Sequence, residues 1–197
     1  ELNDTIKGVI FSGGPASVRD ENAPYIDTKA YRGKLPVLGV CYGAQLMAQQ
    51  AGGKVAPSKI REYGRAHLQH DTTNDALFNN VSAQSIVWMS HSDTITEAPE
   101  GFNVIASTND VKVAGYHITG ESTYGVQFHP EVVHSDEGKV MIENFVKNIL
   151  IYLEFVYNYE TQIAILRAEK TQNSQEKEEK EKAAEEYSAS LKEKTSK

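Results

Sequence analysis

The segment Leu35–Ala48 constrains the fold of this chain more than any other. An apolar run ends in the pattern Gly-x-Cys-x-Gly, and the apolar residues after it recur at the spacing of one helix face. This pattern predicts a buried strand, a tight turn and a helix, because small residues on both sides of Cys41 let the backbone bend sharply. A cysteine at a helix N-terminus is favoured as a thiolate. The alternative interpretation is that Cys41 is a small buried hydrophobic residue.

The composition argues against several classes of function. The chain has 197 residues, a formal net charge of -7 and a single cysteine. The acidic balance, with no basic cluster outside the C-terminal tail, disfavours nucleic acid as a partner. One cysteine permits no internal disulfide, and no stretch approaches the roughly 20 apolar residues of a membrane span. We therefore expect a cytoplasmic protein with no nucleic-acid or membrane partner.

Turn signals divide the middle of the chain into short strands. The first predicted strand, residues 6–12, runs into Gly13-Gly14, which is either an oxyanion cradle or a plain glycine turn. Further strands are predicted over residues 66–68, 85–89, 103–106, 111–116 and 124–128. Two of them lead into predicted loops that carry histidine, residues 90–93 and 129–131. An amphipathic helix is predicted over residues 137–150, where it can close the domain.

Two compositional changes set the expected domain limits. Strand-like residues begin almost at the first position, so we expect a domain over residues 1–152 that is incomplete at its N-terminus. Residues 153–197 form a tail in which Glu and Lys come to dominate. Glu–Lys pairs each contribute about 0.3 kcal/mol to a solvated helix, which is our prediction for the tail, partly disordered at its end. Its apolar spacing is too sparse for a coiled coil.

Cys41, His129 and Glu131 are the residue types of a nucleophilic triad. A cysteine nucleophile needs a base to take its proton, and the base needs an acceptor on its second ring nitrogen. His129 and Glu131, two residues apart across a turn that Pro130 stiffens, offer that pair. A structural histidine is the alternative interpretation. A metal site of His129, Glu131 and His134 is disfavoured, since the one cysteine is far away in sequence and no paired-histidine motif occurs, so we expect no metal.

Three ordered segments of the sequence resemble the signature blocks of class I, triad-type glutamine amidotransferases. They are residues Phe11–Pro15, Gly39–Gln45 and Tyr124–Val132. Within that superfamily, Arg61–Arg65 and Trp88–Asp93 resemble the amidotransferase domain of GMP synthetases. The resemblance implies a flavodoxin-like, doubly wound mixed α/β sheet flanked by helices, here lacking its first strand and helix.

The same resemblance implies a role for each matching residue. Cys41 is the nucleophile, His129 the base and then the acid, and Glu131 orients His129. The backbone amides of Gly14 and Tyr42 form the oxyanion hole. The residues implied to hold the substrate are Gly13, Gln45, Ser90 and His91.

The implied reaction is hydrolysis of L-glutamine through a cysteinyl thioester, which supplies ammonia for the amination of xanthosine monophosphate to GMP. The partner is an ATP-pyrophosphatase domain or subunit, which Asp93 and residues 61–65 could contact. ATP and magnesium are expected only in that partner, and no cofactor is expected in this chain. Two alternatives stay open: an amidotransferase serving another synthase, such as one for anthranilate or carbamoyl phosphate, and a non-catalytic fragment acting as an interaction module.

Overall fold

A computed structural model of the chain describes residues 5–70 and 75–150, together with Ile163 and Lys182. By its internal contacts the chain divides into one unit of residues Glu1–Tyr152 and a second of residues Leu153–Lys197. Every element named below belongs to the first unit. Apart from Ile163 and Lys182, the predicted charged tail lies outside the described residues.

The first unit is a mixed α/β structure with few helices. Its strands are β1 (Val9–Phe11), β2 (Val37–Val40), β3 (Lys54–His67), β4 (Gln69–His70), β5 (Ile86–Glu97), β6 (Phe102–Ser107), β7 (Gly115–Ile118) and β8 (Thr123–Val126). Its helices are α1 (Tyr42–Gln50) and α2 (Gly138–Glu143), and α2 continues as a π-helix over Asn144–Leu150. Short 3-10 turns occur at Thr28–Ala30 and Ala76–Phe78. None of the described helices is long and apolar enough to cross a membrane.

Six strands form the main sheet, in the order β1-β2-β8-β7-β6-β4. The neighbours β1, β2 and β8 run parallel, whereas the remaining pairs are antiparallel. The mixed sheet that the sequence predicts is therefore confirmed. Because parallel strands end at the same edge of a sheet, the segments after Phe11, Val40 and Val126 come together there.

Strand β2 lies inside the sheet, and all four of its residues are buried. Helix α1 packs on it through apolar residues such as Met47, which is fully buried. Burial of each such side chain contributes about 1.5 to 3 kcal/mol. The contact is close at Gly39, where a Cβ atom would lie 2.5 Å from Met47 Cε and 2.8 Å from the Ala44 nitrogen. Glycine at this position therefore sets how closely α1 approaches the sheet.

The main departure from the predicted elements is the length of β3 and β5. Residues 90–93, predicted as a loop, lie within β5, which pairs with β3 as a separate two-stranded antiparallel sheet. Tyr63 pairs with Ser90 in this register. The polar composition of residues 90–93 suggested a loop, but β3 and β5 satisfy each other's backbone hydrogen bonds.

Further boundaries differ, among them those of β7 and α2. The strand predicted over 111–116 begins only at Gly115, next to an irregularity in β6 between Val104 and Ala106. The helix predicted over 137–150 is present, but its second half is a π-helix.

Candidate active site

The turn that carries Cys41 is sharply bent. Cys41 immediately precedes α1 and has φ 47° and ψ −103°, a left-handed conformation that costs energy for any residue other than glycine. A Cβ atom on Gly43 would lie 2.2 Å from the Phe11 carbonyl oxygen, so only glycine fits there. The turn therefore has the strained geometry that the sequence predicts for a nucleophile elbow.

The thiol of Cys41 is protonated at rest. Cys41 is 3% exposed, and its Sγ lies 3.9 Å from the Ser90 carbonyl oxygen. Burial raises the pKa of Cys41 to about 11, although a hydrogen bond from the Tyr42 backbone N–H works in the opposite direction. The negative charge of Glu131 raises the pKa further. The expectation of a thiolate at the helix N-terminus is therefore wrong for the resting site, because desolvation outweighs the helix terminus.

His129 is held by Glu131 through one ring nitrogen. His129 Nδ1 lies 2.7 Å from Glu131 Oε1. The side chain of His129 is 16% exposed and that of Glu131 50%. The other nitrogen, Nε2, is buried and has no hydrogen-bond partner among the described residues. Since His129 and Cys41 line the same cavity, this arrangement suits a base whose second nitrogen exchanges a proton inside the site.

The backbone of His129 is anchored to β5. Its N–H donates to the Trp88 carbonyl oxygen at 2.9 Å. The hydroxyl of Ser135 donates to the His129 carbonyl oxygen at 2.6 Å and accepts from the Trp88 N–H at 3.0 Å. Ser135 is buried and closes this ring of hydrogen bonds. Nothing in the sequence points to Ser135, since a serine in a polar loop carries no distinctive signal.

The Gly13-Gly14 turn lies directly against His129 and Cys41. A Cβ atom on Gly13 would lie 2.8 Å from His129 Cε1 and 3.4 Å from Cys41 Cβ. The same atom on Gly14 would make only ordinary contact with Tyr42, at 3.9 Å from its Cβ and Cγ. Gly13 thus permits the approach of the histidine ring, and Gly14 lies beside Tyr42. The oxyanion role of Gly14 and Tyr42 stays a prediction.

A cavity of about 410 Å³ opens at this edge of the sheet. Its wall is formed by Gly14, Pro15, Ala16, Cys41, Gln45, Tyr63, Ser90, His91, Ser92, Asp93 and His129. Three of the predicted substrate-binding residues, Gln45, Ser90 and His91, lie on this wall, whereas Gly13 packs against His129. Tyr63, whose side chain is largely exposed, was not predicted to contribute.

Two buried polar side chains on the wall, those of Gln45 and His91, carry no charge near pH 7. Gln45 is 3% exposed, and its Nε2 donates to the Asp93 carbonyl oxygen at 2.8 Å and to Gln127 Oε1 at 3.2 Å. Burial lowers the pKa of His91 to about 4, although a backbone hydrogen bond with Asp93 opposes that shift. His91 is therefore neutral near pH 7, and it adds no positive charge to the site.

Asp93 is part of the cavity wall and not of an outer surface. Its side chain is 3% exposed and accepts hydrogen bonds from the Ser17 hydroxyl and from Arg19, whose Nη2 lies 2.8 Å from Oδ1. Burial works to raise the pKa of Asp93, but the hydrogen bonds and the charge of Arg19 outweigh it and hold that pKa below its ordinary value. The expectation that Asp93 contacts a partner does not fit this burial.

The alternative metal interpretation finds no support in the geometry. The ring of His134 packs against Trp88, with 4.6 Å between the ring centroids. Within residues 5–70 and 75–150, no group of three or more His, Cys, Asp or Glu side chains is arranged to hold a metal ion.

Comparisons of the sequence with known proteins agree on one family. Residues 1–149 match the family described as class-I glutamine amidotransferase. Glutamine-hydrolysing GMP synthase from Cytophaga hutchinsonii is 57% identical over 149 residues, which is 76% of this chain and 29% of that protein. The corresponding enzyme from Bacteroides fragilis is 54% identical over 147 residues, again 29% of its length. The chain therefore spans less than a third of the curated relatives it matches.

A solved structure shares the fold. It is the crystal structure of a protein from Thermoplasma acidophilum that is described as a candidate component of GMP synthase. The two chains are 28% identical, with a TM-score of 0.66 over 78% of each chain. This likeness supports the mixed α/β fold described above.

Proposed function

The chain belongs to the class-I glutamine amidotransferase family, and on that premise we propose that it hydrolyses L-glutamine to glutamate and ammonia. One observation carries the proposal: Cys41 on its strained turn shares a cavity with His129, whose Nδ1 is fixed by Glu131 and whose Nε2 is buried and unpaired among the described residues. Acyl transfer of this kind requires a nucleophile, a base that removes the proton of the nucleophile and a carboxylate that orients the base.

The first half of the reaction forms a thioester. His129 Nε2 removes the thiol proton as Cys41 Sγ attacks the amide carbon of glutamine, which generates a tetrahedral oxyanion. The backbone N–H groups of Gly14 and Tyr42 donate to that oxyanion, an interaction typically worth at least about 100-fold in rate. The intermediate collapses when His129 returns the proton to the leaving nitrogen, so that ammonia departs and a γ-glutamyl thioester remains on Cys41.

The second half reverses the protonation steps. His129 removes a proton from water, whose oxygen attacks the thioester carbon. The C–S bond breaks, the thiolate of Cys41 recovers a proton from His129, and glutamate leaves. Glu131 stabilises the imidazolium that forms in each half. Since burial raises the pKa of Cys41 to about 11, the proton transfer accompanies attack and no free thiolate accumulates beforehand.

We further propose that the ammonia serves the amination of xanthosine monophosphate to GMP. Support comes from the GMP synthase relatives at 54 and 57% identity, whose sequences extend well beyond the matched region. In this proposal the partner is an ATP-pyrophosphatase domain or subunit, which binds ATP and magnesium, and this chain needs no cofactor. The expected location is the cytoplasm, where nucleotide synthesis takes place.

A glutaminase assay tests the proposal. Glutamate release should be abolished in Cys41→Ala and in His129→Ala. Because His67 is exposed on β3 and lies outside the cavity wall, His67→Ala is a matched histidine control that should keep the wild-type rate. A rate in His129→Ala close to that of the wild type would remove the proposed base. Stimulation by a synthetase partner loaded with xanthosine monophosphate and ATP, and not by other synthases, tests the GMP assignment separately.

A further inference from the structure

Gln127 is a fully buried polar residue that follows β8 and lies two positions before His129. Its Oε1 accepts from the Ile95 N–H at 3.1 Å and from Gln45 Nε2 at 3.2 Å. Its Nε2 donates to the Val113 carbonyl oxygen at 2.7 Å and approaches Thr94 Oγ1 at 3.3 Å. Every hydrogen-bonding position of the amide is therefore occupied by the protein.

These partners determine which end of the Gln127 side-chain amide is the oxygen and which is the NH2 group. A backbone N–H can only donate and a backbone carbonyl can only accept. Ile95 therefore requires an oxygen and Val113 requires an NH2 group. Reversal of the amide would place its NH2 group against the Ile95 N–H and its oxygen against the Val113 carbonyl oxygen. Oε1 of Gln127 must therefore face Gln45.

Two acceptors, one of which is on Gln127, fix the orientation of the Gln45 side-chain amide. Its Nε2 faces two acceptors, the Asp93 carbonyl oxygen and Gln127 Oε1, and both of its N–H groups are used there. Its Oε1 accepts no hydrogen bond from the described residues. Since Gln45 lies on the cavity wall, this oxygen is the atom that remains to meet a ligand. The wall thus offers an acceptor and not a donor at that point.

An acceptor at this position selects for an N–H donor on the substrate. In the proposed glutaminase reaction the amide carbon lies at Cys41 Sγ and the leaving nitrogen faces His129. The donors of glutamine that remain are those of its α-ammonium group. A charged donor gains more from a hydrogen bond than a neutral donor does.

We propose that Gln127 is a positioning residue for substrate specificity: it holds Gln45 with Oε1 toward the cavity, where that oxygen accepts from the α-ammonium group of the substrate. This inference rests on the proposed glutaminase function. Gln127 itself does not contact the substrate, so its effect is on selectivity and not on the chemical step.

Binding measurements on an inactive background test the inference. In the Cys41→Ala chain, calorimetry compares L-glutamine with 4-carbamoylbutanoate, which is glutamine without its α-ammonium group. Gln127→Met removes one of the two acceptors that orient Gln45 and should lower the preference for glutamine about fivefold, the effect of one net hydrogen bond. Affinity for 4-carbamoylbutanoate should change by less than about twofold, because this ligand does not use that hydrogen bond.

Two matched variants separate orientation from packing. Gln127→Glu keeps an acceptor oxygen toward Gln45 in either protonation state and should retain the preference. Thr94→Val removes only the contact at the opposite end of the Gln127 amide and should also retain it. If Gln127→Met does not fold, Gln127→Asn, whose shorter amide stops short of Gln45, takes its place.

The possible results separate the positioning role of Gln127 from the glutaminase proposal. An unchanged preference in Gln127→Met, or an equal loss in Gln127→Met and Gln127→Glu, would overturn the positioning role. Failure of the Cys41→Ala chain to bind glutamine at all would instead overturn the glutaminase proposal, and this inference with it. A preference that is about fivefold lower in Gln127→Met and is retained in both matched variants is the expected result.

Discussion

Replacement of Gly13 by alanine should displace His129, the proposed base, without unfolding the protein. The added methyl carbon would lie 2.8 Å from His129 Cε1, whereas ordinary carbon–carbon contact begins near 3.4 Å, so the ring must retreat by roughly 0.6 Å. A misplacement of about 1 Å in an active site can cost about 100-fold in rate. We expect kcat to fall about 10-fold to 100-fold, which corresponds to about 1.4 to 2.7 kcal/mol in the activation barrier.

Steady-state glutamate release separates this effect from a role in substrate binding. Displacement of His129 should lower kcat and leave KM close to the wild-type value, because His129 acts in the chemical step of the proposed mechanism. Gly14→Ala is the matched comparison: its methyl group meets only Tyr42, at 3.9 Å, and should cost far less. A wild-type kcat in Gly13→Ala, or an increase in KM alone, would refute the displacement of His129.

Three further predictions follow from the contacts around the site. Ser135→Ala should lower kcat about fivefold at saturating glutamine, because it removes a hydrogen bond to the His129 backbone, and Ser135→Thr should restore the rate. Burial raises the pKa of Cys41 from 9.0 to about 11. The folded state therefore favours the neutral thiol, and the stability that this preference contributes is complete below pH 9 and is lost as the pH rises toward 11. Cys41→Ala should therefore lose about 2 kcal/mol less stability than the wild type between pH 9 and 11 in denaturant titrations; an equal loss would contradict the burial argument. Arg19→Met leaves the buried carboxylate of Asp93 without its charged partner and should lower the midpoint of denaturant unfolding at pH 7; an unchanged midpoint would contradict this.

The central part of the fold was predictable because its signals are local. An apolar run, two glycines around a cysteine and a helical apolar spacing specify β2, the elbow and α1 without reference to the rest of the chain. The pairing of β3 with β5 was not predictable in this way. Its polar residues resemble loop sequence, and only the antiparallel partner, distant in the chain, makes the extended conformation favourable.

The residues of the proposed triad could be identified from the sequence, but their surroundings could not. Cys41, His129 and Glu131 follow from the chemistry that each residue type can perform, and the structure brings all three together. The thiol pKa was not predictable, since burial is a property of the assembled fold. Gln127 offered one signal, a polar residue between Val126 and Phe128 in an apolar run, which indicates a buried amide whose hydrogen bonds are satisfied by the protein.

Covalent labelling of Cys41 tests the central claim most directly. A diazoketone analogue of glutamine reacts only where a glutamine-shaped cavity presents a nucleophile that its neighbouring base can activate. We predict a single adduct on Cys41, located by mass spectrometry, which L-glutamine blocks and which His129→Ala slows strongly. A folded chain that shows no adduct, or one whose labelling glutamine does not prevent, would contradict the assignment of this cavity as a glutaminase site.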